Sequence, residues 1–101
     1  MNLEANHPDL CFALVLACLP RITTPDQASI LAAGPLEELV AQQGDAMIGR
    51  IEDMARMSAR FSYVLSGVWP QGRQDSPIWA RVLKARESGP LMDDGGPIPA
   101  L

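Results

Sequence analysis

"LAAGPLEELVAQQGDAMIGRIEDMARM", residues 31–57, decides the fold class, because it keeps helical spacing across two sets of breakers. Gly34-Pro35 breaks one helix, and Pro35, favoured at a first helical position, opens the next with Leu36, Leu39 and Val40 on one face. Gly44 closes that helix and Asp45 caps its successor. In the successor Met47, Ile48, Ile51, Met54 and Ala55 form one apolar stripe.

The same punctuation continues on both sides. His7-Pro8 starts a first helix that runs to about Leu19, where Pro20 stops it. Its residues are apolar all round, which predicts a central, surrounded helix. "TTPDQ", residues 23–27, reads as a capping box: Thr24 as N-cap, Pro25 first in a second helix that runs to Ala33, Gln27 reaching back. Ser58 caps a fifth helix, with Phe61, Val64, Leu65 and Val68 at i, i+3, i+4, i+7. Ser76-Pro77 starts a sixth, with Ile78, Trp79, Val82 and Leu83 inward. No strand signal competes. The pattern predicts an all-α domain, five to six short helices in a compact antiparallel bundle or a HEAT-like helix-pair layer. It spans residues 1–88, and residues 89–101, "GPLMDDGGPIPAL", form an irregular tail.

The 101 residues suffice for one domain and one core, and with 48% hydrophobic residues the chain is globular rather than disordered. The net charge of −4 argues against direct nucleic-acid binding, which rests on Lys and Arg. The charge is uneven. Residues 1–49 carry one basic side chain, Arg21, against six acids, whereas residues 50–90 carry seven basic side chains against four acids. Such bipolarity suits steered protein–protein contact.

"LCFALVLACLP", residues 10–20, imitates a signal-peptide core. Only Glu4 and Asp9 are charged ahead of it, so the basic flank of such a signal is missing, and the run is too short to span a bilayer. A buried helix in a cytoplasmic protein, with no membrane partner, is the expectation. Cys11 and Cys18 fall on one face of that helix, roughly 10 Å apart by the helical rise. That exceeds disulfide reach and predicts two buried, reduced thiols. His7 and Cys11 stand at i, i+4, but a structural zinc wants four such ligands. No metal and no cofactor is expected.

Two features carry candidate function. Glu37 and Glu52 each sit at the boundary of an apolar stripe and could face each other as an acid/base pair if their helices pack side by side. Alternatively they serve helix-end amides or arginines, Arg56 lying one turn beyond Glu52. The second feature is "LSGVWPQGRQDSPIW", residues 65–79, which holds both tryptophans. As a corner, it has Gly67 as a left-handed C-cap, Trp69 packed, Pro70 and Gly72 turning the chain, and Trp79 stacked nearby. As a contact rim, it presents Arg73 at its tip and Tyr63 on the outer face of the fifth helix, residue types that hot spots favour. Glu37, Glu38, Glu52, Tyr63 and Arg73 are therefore the candidate partner contacts.

The elements G-P-L-E-x-L (34–39), Gly44, I-x-x-I-E (48–52), F-x-x-x-L (61–65) and G-V-W (67–69), behind the apolar first helix, resemble the pattern of a family of small bacterial helical domains of unknown function. The resemblance covers roughly residues 7–83 and rests on Gly34, Pro35, Leu36, Glu37, Gly44, Ile51, Glu52, Phe61, Gly67, Val68 and Trp69. It implies a cytoplasmic helical domain and supplies no activity. The expected function is a non-enzymatic protein-interaction module, an adaptor or a neutralising partner of immunity or antitoxin type. Two alternatives stand beside it. One is a phage or mobile-element inhibitor of a nucleic-acid-handling complex, such as an anti-CRISPR, and the other a small hydrolase or isomerase using Glu37 and Glu52.

Overall fold

Gly34-Pro35 does not end a helix in the computed structural model, which describes residues 7–87 and 89–101. Proline cannot donate to the carbonyl four residues back, and its ring crowds that carbonyl. The chain answers by widening: residues 32–36 form a π turn, and the Glu37 N–H reaches the Ala32 carbonyl five residues behind. The helix α2 (Pro25–Leu31) thus runs on through the π turn into α3 (Glu37–Met57). Gly44 does not close a helix either. The backbone departs from helical angles at Gln43 (φ −130°, ψ 23°) and then resumes, so α3 is kinked rather than split.

The six expected helices are therefore four helical bodies among the described residues. These are α1 (Pro8–Cys18), the continuous α2–π–α3 body, α4 (Ala59–Leu65) and α5 (Pro77–Ala85), with no strand. The caps form locally. The Thr24 hydroxyl accepts from Gln27 N–H at 3.2 Å, Ser58 from Phe61 N–H at 3.1 Å and Ser76 from Trp79 N–H at 3.1 Å. Gln27 reaches back one residue further than a capping box requires, its amide oxygen accepting from Thr23 N–H at 2.8 Å. His7 precedes α1 without a side-chain capping bond.

The core is aliphatic, centred on Val15, Leu36, Leu39, Ile51, Val64 and Val82, with Phe12 and Phe61 meeting edge to face at 6.0 Å. It does not surround α1. Cys11, Phe12 and Val15 are buried, whereas Leu10 and Leu14 are half exposed. A domain this small has too little chain to cover a helix that is apolar on every side. Cys18 is likewise exposed, not buried. The chain tightens into a 3-10 turn at Leu19–Arg21, and Leu19 takes the inward place. No described helix is long and apolar enough to cross a membrane.

The tail folds back. Its one regular element is a 3-10 turn at Met92–Asp94. The Met92 N–H donates to the Ser66 hydroxyl at 2.9 Å, Ile98 packs on the core, and the Arg60 guanidinium bonds both the Pro99 and Leu19 carbonyls at 2.9 Å. Gly67 lies under this tail without a left-handed φ. Its glycine is explained by contact, since a Cβ there would stand 2.6 Å from the Met92 sulfur and 3.0 Å from Ala32 Cβ.

Candidate functional site

Gly44 sets the site's geometry. It is buried where α5 crosses α3, and a Cβ on it would come within 2.8 Å of Ile78 Cγ2. One residue earlier is the Gln43 kink. Beside this crossing a cavity of about 490 Å³ opens between residues 40–46 of α3 and the 69–79 segment.

The far wall is a turn held from several sides. Val68 is buried and anchors it. Glu37, on the first turn of α3, accepts from the Trp69 N–H at 2.7 Å and from the Gln71 side-chain amide at 2.5 Å. The Arg73 N–H closes the turn on the Pro70 carbonyl at 3.0 Å. Both central residues are left-handed, Gly72 at φ 81° and, unusually for a residue with a side chain, Gln71 at φ 51°. The strained Gln71 is kept in place by its bond to Glu37. The Arg73 guanidinium spans the cleft and donates to the Ala41 carbonyl, two residues ahead of the kink at Gln43.

The two tryptophans part company here. Trp79 is 7% exposed, with the Arg86 guanidinium 5.7 Å above its ring, and forms part of the cleft's inner wall. Trp69 is 73% exposed on the rim. The expectation that Trp69 is packed fails, because Val68 inserts and the backbone bond to Glu37 holds the next residue outward. Tyr63, expected on an outer face, is 2% exposed and belongs to the core, which removes it from the candidate contacts. α4 is buried along Phe61–Leu65, so it has no outer face at that position.

The remaining candidates divide. Glu37 and Arg73 are both in the cleft's framework, with Glu38 half-buried beside Glu37. Glu52 is elsewhere, since fifteen positions of one helix put it roughly 20 Å along the axis from Glu37. It forms a two-pronged pair with Arg81 of α5, at 2.5 and 2.9 Å, and this bond holds its carboxyl below the ordinary 4.5. Its expected partner Arg56 pairs with Asp53. The carboxylates of Glu37 and Glu52 are not brought together, and each has its own partner. Among the described residues no three of His, Cys, Asp or Glu gather as metal ligands.

Sequence reasoning missed the cleft and the role of Glu37 as its brace. One signal was present: no basic residue stands three or four positions after Glu37, where Val40 and Ala41 are found, so no cation one turn on in its own helix stood ready to pair with it. The lining offers stacking, amide and charged contacts: Trp69 and Trp79, Gln42 and Gln43, Asp45 and Arg73. No curated protein and no solved structure matches the chain. A family model does match it over residues 1–89, ending where the tail begins, and the chain belongs to that family of unknown function, DUF6869.

Proposed function

We propose that the chain is a non-enzymatic binding module that receives another protein in the Trp69 cleft, as an adaptor or a neutralising immunity- or antitoxin-type partner does. Trp69 carries the proposal. An indole 73% exposed on a turn whose backbone is fixed at Trp69 and Arg73 is a contact group carried on an already ordered support, and Trp is among the residue types hot spots favour most. The cavity beside it, about 490 Å³, falls within the size range of ligand-binding clefts. The acid/base alternative loses its premise, since Glu37 braces the turn and Glu52 pairs with Arg81.

The test uses the tagged full-length chain beside two variants, Trp69→Ala and Ile30→Ala, in capture of interacting proteins from the native host. Ile30 is also strongly exposed, at 71%, and serves as the control apolar surface residue. The proposal expects a protein retained by the parent and by Ile30→Ala and lost with Trp69→Ala. A partner held equally by Trp69→Ala places the binding surface elsewhere.

A further inference from the structure

We infer that residues 90–101 are a displaceable strap lying in a peptide-binding groove, and that an extended segment of a partner protein, with apolar side chains spaced as Met92 and Ile98 are, takes their place. Arg60, Ser66 and Gly67, which hold the strap, do not line the Trp69 cleft, so this surface is distinct from the one proposed there.

The manner of attachment carries the inference. The domain grips the backbone of the tail at two points: the Ser66 hydroxyl accepts from the Met92 N–H at 2.9 Å, and Arg60 Nε donates to the Pro99 carbonyl at 2.9 Å. Every peptide offers main-chain groups, so such grips accept another extended segment, and the seats for side chains set the preference. One seat is Gly67, where the missing Cβ leaves room for the Met92 sulfur. The other takes Ile98, which packs on the core.

The tail is laid on the domain and not built into it. Every residue from 89 to 101 is half-buried or exposed. Three glycines and three prolines stand among them, and the glycines raise the conformational entropy that docking must overcome. At the root the fit is incomplete. Gly89 and Pro90 border a cavity of about 180 Å³ together with Ser62, whose buried hydroxyl has no hydrogen-bond partner among the described residues, and Pro90 has no N–H to offer it. The gripping residues also lie inside the stretch shared with the family, residues 1–89, whereas the strap lies beyond it.

Fluorescence anisotropy of a labelled peptide of residues 90–101 tests this on two full-length proteins. One is the parent and the other Met92→Ser/Ile98→Ser, whose fold is checked by circular dichroism. The double variant keeps the groove and cuts the strap's apolar anchors. The peptide should bind it at least about tenfold more tightly than it binds the parent, where the tethered strap competes at millimolar effective concentration. Adding Arg60→Met should abolish that gain, and a peptide carrying the same two serines should bind neither protein. A peptide bound equally by parent and double variant, or by neither, overturns the inference. So does a double variant that fails to fold, because the tail would then be part of the core. A parent that dimerises with concentration, and is dissociated by the peptide, overturns the partner's role and gives the groove to the strap of a second copy.

Discussion

Trp69 and Trp79 lie ten positions apart and in opposite environments, 73% and 7% exposed, so truncating each should produce opposite results. Trp79→Ala removes a buried indole from beneath Arg86 and should cost about 3–5 kcal/mol, which approaches the whole stability of so small a domain. Trp69→Ala removes mostly solvated surface and should stay within about 0.5 kcal/mol of the parent. Urea unfolding followed by far-ultraviolet circular dichroism compares the two. Glu52 makes a separate prediction in pH. Its bond to Arg81 lowers its carboxyl in the folded state relative to the ordinary 4.5, so folding favours the ionised form. The stabilisation is present above the ordinary value and is lost as pH falls through the lowered one. The pair is partly solvated, so the effect is small and weakens with salt. Glu52→Gln should remove this part of the acid-side loss in urea midpoint, and an unchanged acid limb would show that the pair contributes nothing.

The crossing of α3 and α5 depends on what Gly44 lacks. A methyl there would meet Ile78 Cγ2 at 2.8 Å, so Gly44→Ala should destabilise by about 1–3 kcal/mol despite alanine's better helix propensity. Removing that methyl with Ile78→Ala should relieve the clash, making the double variant less damaged than the two single losses added together. Chemical denaturation of the four proteins measures that coupling. This element also shows what could be read beforehand. The caps at Thr24, Ser58 and Ser76 were legible because each is a bond between residues three apart, decided by local chemistry. The breaks at Gly34-Pro35 and Gly44 were not. A proline after a glycine can stop a helix or widen it into a π turn, and only the burial of Leu31, Ala32 and Leu36 on the shared core decides. Gly44 looked like a terminus because its requirement, a close neighbour on α5, lies 34 residues away in the chain.

At the scale of the molecule the cleft was hidden for the same reason: its ties, Glu37 to Trp69 and Arg73 to Ala41, each join residues 32 apart. The acidic bias of the first half was legible, since charge needs only counting, and Asp45 of the cleft wall and Glu37 of its brace belong to it. The tail shows distant closure most plainly. The Cα radius of gyration is 12.3 Å, close to the roughly 13 Å of a compact domain of this length, so the last residues cannot trail outward. Arg60 accounts for much of this, because one guanidinium joins the end of α1 at Leu19 to the tail at Pro99. Arg60→Met keeps the length and apolar stem while deleting both bonds. Hydrogen bonds from a charged donor contribute about 1.5–3 kcal/mol, and the loss should fall on the tail first, because Met92 and Ile98 are its only apolar anchors among the partly buried residues packed on the core. Hydrogen exchange followed by mass spectrometry should show residues 91–101 exchanging faster in Arg60→Met while α3 keeps the parent's protection. Tail exchange unchanged from the parent would mean that Met92 over Gly67, with Ile98, holds the tail without the arginine.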